Sequence, residues 1–505
     1  MKVTNQLRNS FVLFLGQLFI KGNSFIKQVL LAFYFGVSGD VDLLLITQII
    51  PSIFSSMIAG GAGEVLVTYK EDEDNQNFVS AYVFLIAAIT VFIGITYLFF
   101  IPSIISFYGV LNTQIELFWN LSLLFVLSRL PSAFVSSLQH LLFVKNKYKY
   151  FVLSSLISEI IGLLTIVLLV KSHGILSFGY AMLITSTINA LFFIYAVKLN
   201  FLTLLKFDVW KYESQRLKKI MIQTFNLSIQ TLINHLSTFW ERTLSFKYLN
   251  QGFLSSLNYS KNLSDYPKMA MLSSAMTTTY AEQVNRKNTS IESYVSYTNK
   301  MFALFTEAAA LVQIFSLLFG PFILIVILNH GAFNDDAVVT TFGIYQLISL
   351  SFIPSLMMGF LSRTMYIEGK FKQLSITILF KFLIELLLMF GFISSFTLAI
   401  PMAIVIGRWF VMLFIFELLI RRNNLLLDRN KLLKVLFVSI PISVIIYFIN
   451  NSIISELIKL DKSIIVFYYL PFILLSGIAL LWYLQQKLEI NIYQKLLKRF
   501  RNENK

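Results

Sequence analysis

Nine lysines and arginines stand inside long apolar stretches of this sequence: Lys21, Lys27, Arg129, Arg242, Lys261, Lys268, Arg363, Lys381 and Arg408. The clearly embedded acids are fewer: Glu159, Glu241, Asp265, Glu307, Glu385 and Glu417. A charge held within a membrane-spanning helix costs about 2.5–3.5 kcal/mol on insertion scales, so each one needs a partner or a purpose. Some have a partner at helical spacing. Lys381 with Glu385, and Lys261 with Asp265, stand four residues apart and can pair along one helix face. Arg242 adjoins Glu241, while Arg363 and Lys268 are placed to snorkel toward a membrane surface. Lys21, Lys27, Arg129 and Arg408 have no partner within their own stretch. Surplus cations in a water-filled cavity attract an anion, and a phosphate or pyrophosphate headgroup is the natural chemical match.

Lys21 and Lys27 form the sharpest local case. Six residues apart, they lie about 9 Å apart along an ideal helix and about 240° around it. Gly22-Asn23-Ser24 between them weakens the helix and permits a break. A break would turn both ammonium groups into one cavity, an arrangement typical of transporter binding sites. Among the acids, Asp265 and Glu307 are candidates for binding a driving Na⁺ or H⁺, since one charge crossing 100 mV is worth about 2.3 kcal/mol.

The elements that must position these residues follow from composition. Apolar residues make up 57% of the chain and charged residues 13%, about half the usual charged share of a soluble domain. Mean hydropathy is +0.73. Stretches long enough to span a bilayer are predicted near 9–36, 42–68, 78–107, 114–143, 151–170, 175–197, 220–248, 253–281, 301–329, 336–366, 373–395, 397–420, 432–449 and 464–485. With no water in the bilayer to pair backbone groups, these stretches must be helical, giving an all-α polytopic protein of about fourteen spans. Gaps on the N-terminal side hold 28 of the 41 lysines and arginines, and the opposite gaps hold four, Lys171, Lys247, Lys459 and Lys462. By the positive-inside rule both termini are cytoplasmic. The formal net charge of +15 therefore reads as topology and attraction to anionic membrane lipids, not as a nucleic-acid footprint.

Several chemistries drop out. The chain has no cysteine, which excludes thiolate metal sites and cysteine nucleophiles. The four histidines, His140, His173, His235 and His330, show no ligand spacing and read as satisfied or exposed. There is no phosphate-binding GxxxxGK[ST] loop, and no metal or catalytic constellation. The first span ends without a cleavage pattern and reads as a retained helix.

Two internal correspondences order the spans. Pro131-Ser132, fourteen residues, then Lys147-Tyr148-Lys149 recurs as Pro354-Ser355, fourteen residues, then Lys370-Phe371-Lys372. Lys27, Gly36, Pro51 and Thr68-Tyr69 run in the same order as Arg242, Gly252, Pro267 and Thr279-Tyr280. Both offsets amount to six spans, so two parallel six-helix lobes are predicted, at 1–215 and 216–430. A helix pair and a basic cytoplasmic tail follow in 431–505. Parallel repeats of this kind are a transporter architecture with the site at the repeat interface.

At this point the sequence resembles the lipid II flippase (MurJ/MviN) family of the multidrug/oligosaccharidyl-lipid/polysaccharide exporter superfamily. Lys27, Phe35-Gly36 and Asp42 resemble that family's basic residue, turn and aspartate between the first two spans, followed by Pro51 and Gly60-Gly61-Ala62. Trp240-Glu241-Arg242, the run Leu254-Ser255-Ser256-Leu257-Asn258-Tyr259-Ser260 and Pro267 resemble its seventh and eighth spans. Arg363, Tyr366 and Lys370 resemble the end of its tenth. The chain departs from the family at Lys21, Lys27, Ser55 and Asn262, where arginine is usual; Lys261 stands beside the last of these. The resemblance implies a bacterial cytoplasmic-membrane flippase, with no enzymatic activity and no cofactor. Its cargo would be a polyprenyl-pyrophosphate-linked saccharide, either lipid II or a surface-polysaccharide repeat unit. Lys21, Lys27, Arg242 and Lys261 would hold the pyrophosphate, with Asp42, Arg129, Glu241, Asn262 and Arg363 lining or gating the cavity. The alternatives are a cation-coupled drug antiporter of the same superfamily, which should carry carboxylates in its first-lobe cavity, and a membrane-embedded polysaccharide polymerase or ligase.

The topology has a direct check, because the chain lacks native cysteines. Single cysteines at Ser38, Val110, His173, Asn250, Asn334, Phe396 and Ser452 should each react with an impermeant thiol reagent added outside the cell. Protection of most of them would mean that the fourteen-span reading is wrong.

Overall fold

In hydrocarbon a helix closes its own hydrogen bonds, and the computed structural model is helical throughout its described spans. The structure describes residues 2–59, 76–144, 147–199, 207–423 and 427–460, with isolated positions up to 475. The segment Gly60-Gly61-Ala62, the end of the second predicted span, the fourteenth span and the basic tail lie outside the described residues, as do the side chains of Ser55, His140, Pro267 and Lys268.

The helices in chain order are α1 Lys2–Phe35, α2 Gly39–Ala59, α3 Gln76–Tyr108, α4 Ile115–Val144, α5 Tyr148–His173, α6 Leu176–Val197 and α7 Phe207–Tyr248. They continue as α8 Phe253–Thr289, α9 Ile291–Phe322, α10 Asp335–Ser349, α11 Phe352–Ile367, α12 Phe371–Phe392, α13 Ala399–Asn423 and α14 Arg429–Lys459. Helical segments coincide with the first thirteen predicted spans, the tenth being shared by α10 and α11, which meet at a 44° bend. Among the described residues eight helices are long and apolar enough to cross a membrane, or nine with the bent pair counted as one span. That is fewer than the fourteen read from the sequence.

One expectation fails locally. The first span is not broken at Gly22-Asn23-Ser24, for α1 runs unbroken through it. The Ser24 hydroxyl donates back to the Ile20 carbonyl at 3.0 Å, so the side chain that could have competed with the helix is absorbed by it. Lys21 and Lys27 therefore keep their helical separation.

Two compact units divide the chain, Met1–Ser255 and Ser256–Lys505. The first unit extends past residue 215 because α7 packs along α2. Its core gathers Phe78, Tyr82, Leu138, Leu142, Phe193 and Ile220 from α3, α4, α6 and α7. Three α3 tyrosines add hydrogen bonds between helices: Tyr82 to Thr224 at 2.8 Å, Tyr97 to Ser122 at 3.1 Å and Tyr108 to Thr243 at 2.9 Å. On the opposite face of α3, Phe92, Ile95 and Phe99 stand exposed, as lipid-facing residues should.

In the second unit the bend between α10 and α11 leaves backbone groups without helical partners, and neighbouring helices supply them. Trp409 Nε1 donates to the Leu350 carbonyl at 3.2 Å and Arg408 to the Ser351 hydroxyl at 2.9 Å. Gln313 of α9 accepts from the Ile353 N–H at 3.3 Å and donates to Ser443 of α14 at 2.9 Å. Two positions that the sequence correspondence pairs have similar backbone angles. Lys147 and Lys370, equivalent positions before α5 and α12, hold φ, ψ of −91°, 38° and −93°, 39°.

Gly252, just before α8, has φ +91°, and a Cβ there would lie 2.6 Å from Val37 Cγ1 and 3.3 Å from the Val37 carbonyl oxygen. Gly252→Ala should cost more than the roughly 1–2 kcal/mol of a left-handed non-glycine residue, because the clash adds to the strain. Gly343, a helical glycine with open space around its missing Cβ, is the control, and Gly343→Ala should be neutral or stabilising. Thermal unfolding of the purified variants in detergent compares the two; equal melting temperatures would refute the packing argument.

Candidate functional site

The helix 1 lysines go separate ways. Lys27 forms an ion pair with Glu159 of α5, Nζ to Oε2 at 2.6 Å, with both side chains partly exposed. The ammonium fits there because α5 has Gly162 one turn after Glu159. A Cβ at that position would lie 3.2 Å from Lys27 Nζ and would collide with the Thr185 hydroxyl of α6. Lys21 is half-buried and forms no ion pair with a described residue. Between them Asn23 is buried, its Nδ2 making no hydrogen bond among the described residues.

A second cationic group assembles on α2. Arg242 of α7 donates to the Leu45 carbonyl at 2.6 Å, and Arg129 of α4 donates to the Ser52 hydroxyl at 2.6 Å. Residues 45 and 52 are seven apart and share one helix face, about 10 Å from each other along the axis. The two guanidinium groups lie within electrostatic reach of each other, and His235, two turns before Arg242 on α7, is in reach of both. Arg129 Nε is buried without a hydrogen-bond acceptor among the described residues. Glu241 is buried beside Arg242.

Asp42 has a structural task at the start of α8. Its Oδ2 accepts the Gly252 N–H at 2.6 Å, and its Oδ1 accepts the Ser255 N–H at 2.7 Å and the Ser255 hydroxyl at 2.8 Å. A helix N-terminus presents unpaired N–H groups and a positive dipole end, so the carboxylate answers both. Only 3% of Asp42 is exposed. It ties α2 to the turn between α7 and α8.

In the second unit Glu307 is paired with Lys431 of α14 at 2.5 Å. The predicted pair Lys381–Glu385 is present at 3.2 Å. Lys261, Asn262 and Asp265 are half-buried on α8, and neither Lys261 nor Asp265 is free. Arg363 is half-buried, with Nη1 making no hydrogen bond among the described residues. No group of three or more metal-ligating side chains occurs among the described residues.

Sequence reasoning missed three of these roles. Glu159 could have been found by elimination, because Glu241 already adjoins Arg242 and no other acid lies deep in the first six spans. His235 was read as isolated and lies within electrostatic reach of Arg129 and Arg242. Gly162 gave no signal, since its purpose is the room it leaves for a side chain 135 positions away.

A family model described as lipid II flippase MurJ matches residues 31–474. The chain belongs to the MurJ lipid II flippase family. It is 23% identical over 457 residues to a probable lipid II flippase MurJ of Buchnera aphidicola subsp. Baizongia pistaciae, covering 85% of this chain and 87% of that protein. Its fold is similar to a lipid II flippase MurJ in an inward closed conformation, with a TM-score of 0.69 at 19% identity over 90% of this chain and all of that one. It is also similar to an inward-facing multidrug resistance MATE transporter, with a TM-score of 0.63 at 14% identity over 81% of this chain and 95% of that one. A superfamily transporter from Pyrococcus furiosus gives 0.59 at 15% identity, over 81% and 94%. The chain is thus a multi-pass transporter of the bacterial cytoplasmic membrane and not an enzyme.

Asp42 offers a test of the helix-capping tie. Asp42→Asn loses the charge that faces two backbone N–H groups and should destabilise the protein by about 1–2 kcal/mol. Asp40, exposed in the same first turn of α2, is the control. Asp40→Asn should leave the melting temperature of the detergent-purified protein unchanged, and an equal drop for both variants would remove the special role of Asp42.

Proposed function

We propose that this MurJ-family transporter flips a polyprenyl-pyrophosphate-linked saccharide from the inner to the outer leaflet by alternating access. Its termini are cytoplasmic in this reading. The observation that carries it is the sign of charge within the spans of the first unit. Lys21, Lys27, Arg129 and Arg242, with His235 beside the arginines, outnumber the buried and half-buried acids of those spans among the described residues, Asp42, Glu159 and Glu241. A drug-cation antiporter needs carboxylates in that position. An anionic headgroup is what a surplus of buried cations selects, because charge-assisted hydrogen bonds strengthen where water is scarce.

Lys21 is the first contact for the pyrophosphate, since it forms no ion pair among the described residues. Lys27 and Arg242 contribute from the same unit. Lysine in place of the family's usual arginine supplies point charge without a bidentate fork, which favours a cargo bound through total charge over one gripped by fixed geometry. The polyprenyl chain stays in lipid and the sugars in water. Asp265 and Glu307 are the two candidates for binding a coupling ion.

The reading is tested with the reconstituted protein and undecaprenyl pyrophosphate as the probe. Lys21→Gln should weaken binding about tenfold or more, the loss of one charge-assisted contact, while accumulating in the membrane at the normal level. Lys21→Arg should keep most of the affinity. Equal binding of undecaprenyl pyrophosphate and uncharged undecaprenol by the unaltered protein would overturn the proposal.

A further inference from the structure

The ion pair between Lys27 and Glu159 carries a consequence for how the cargo is loaded, and this inference rests on the pyrophosphate reading above. The Glu159 side chain on α5 is 16% exposed and that of Lys27 on α1 is 22% exposed, so the pair is not sealed inside the protein. The seat is built for the ammonium. Glu159 and Gly162 stand one turn apart on the same face of α5, the glycine leaves room for Nζ, and Thr185 closes the side toward α6 by bonding the Ser158 carbonyl at 3.3 Å. The pair is the ion pair that joins α1 to α5 among the described residues, and α1 packs along α5.

We infer that Glu159 is a stand-in counter-ion: it holds Lys27, and with it α1, against α5 in the unloaded protein, and the cargo's pyrophosphate displaces it. A carboxylate brings one negative charge to the ammonium, whereas a pyrophosphate brings more charge and several acceptor oxygens. Exchange is therefore favourable only for a highly anionic headgroup, which makes Glu159 a specificity-determining residue as well as a latch. Loading and helix release are coupled, because a ligand shifts an equilibrium by its differential affinity for the two states. While Glu159 occupies Lys27, the apparent affinity for cargo is reduced by the fraction of molecules in which Lys27 is free. An unneutralised Lys27 would bind anions tightly and indiscriminately, and it would release cargo slowly.

The test is the affinity of Glu159→Gln for undecaprenyl pyrophosphate, alongside the rate of flipping in proteoliposomes. Removing the competitor should tighten binding about tenfold, lower the turnover rate, and raise the affinity for undecaprenyl monophosphate by a similar or larger factor. A damaged fold cannot tighten binding, so the gain separates this role from a structural one. In a Lys27→Gln background the Glu159→Gln effect should vanish. If Glu159→Gln does not accumulate, Glu159→Asp decides the matter, since a carboxylate one methylene shorter loosens the pair and should tighten binding by a smaller factor. Unchanged or weaker binding in the folded variant overturns the inference while leaving the flippase reading intact. Failure of the unaltered protein to bind undecaprenyl pyrophosphate overturns the flippase reading itself.

Discussion

In the bilayer interior a polar group has no water to fall back on, and this constraint organises the rest of the molecule. Helices answer it for the backbone. Side chains answer it wherever a helix ends or bends among its neighbours. Asp42 caps the start of α8 from α2, and Trp409, Arg408 and Gln313 serve the bend between α10 and α11. Lysines do the same at helix C-termini, where the dipole is negative: Lys147 donates to the Ala196 carbonyl and Lys287 to the Ile367 carbonyl.

Embedded charges obey the same rule. In the second unit Glu307 with Lys431 and Glu385 with Lys381 are matched acid to base. Breaking such a pair by removing one partner strands the other. In the first unit Lys27 is matched to Glu159, while two arginines are answered by neutral oxygens. Arg129 and Arg242 donate to a hydroxyl and a carbonyl, which satisfy hydrogen bonds and leave positive charge in place. That residual charge supports an anionic cargo, and it is stored where α2, α4 and α7 meet.

The family membership and the local chemistry then divide the explanation between them. The family match and the similar folds account for the helical architecture and the class of transporter. The seat of Lys27 against Glu159, with Gly162 beneath it, is read from this chain's own packing. A lysine in that seat is held by a single strong contact. An arginine fork would demand acceptors on two sides, and one carboxylate beside a glycine does not offer them.

The sequence by itself determined the class, the helical character of the described spans and the surplus of embedded cations. Each of these is written in local composition: apolar length sets a span, and the matching φ and ψ at Lys147 and Lys370 follow from matching local residues. The i,i+4 pair of Lys381 and Glu385 was legible for the same reason. Only the tertiary structure decided which charges are answered and by what. Lys27 meets an acid 132 residues away, Arg242 a carbonyl 197 residues away, and Asp42 a helix start 213 residues away. Spacing along one helix cannot reveal which other helix lies beside it. The unbroken α1 shows the converse, since Gly22-Asn23-Ser24 permits a break, but the Ser24 hydroxyl returns to its own helix. Local propensity proposes a conformation, and the neighbours that satisfy or strand each polar group settle it.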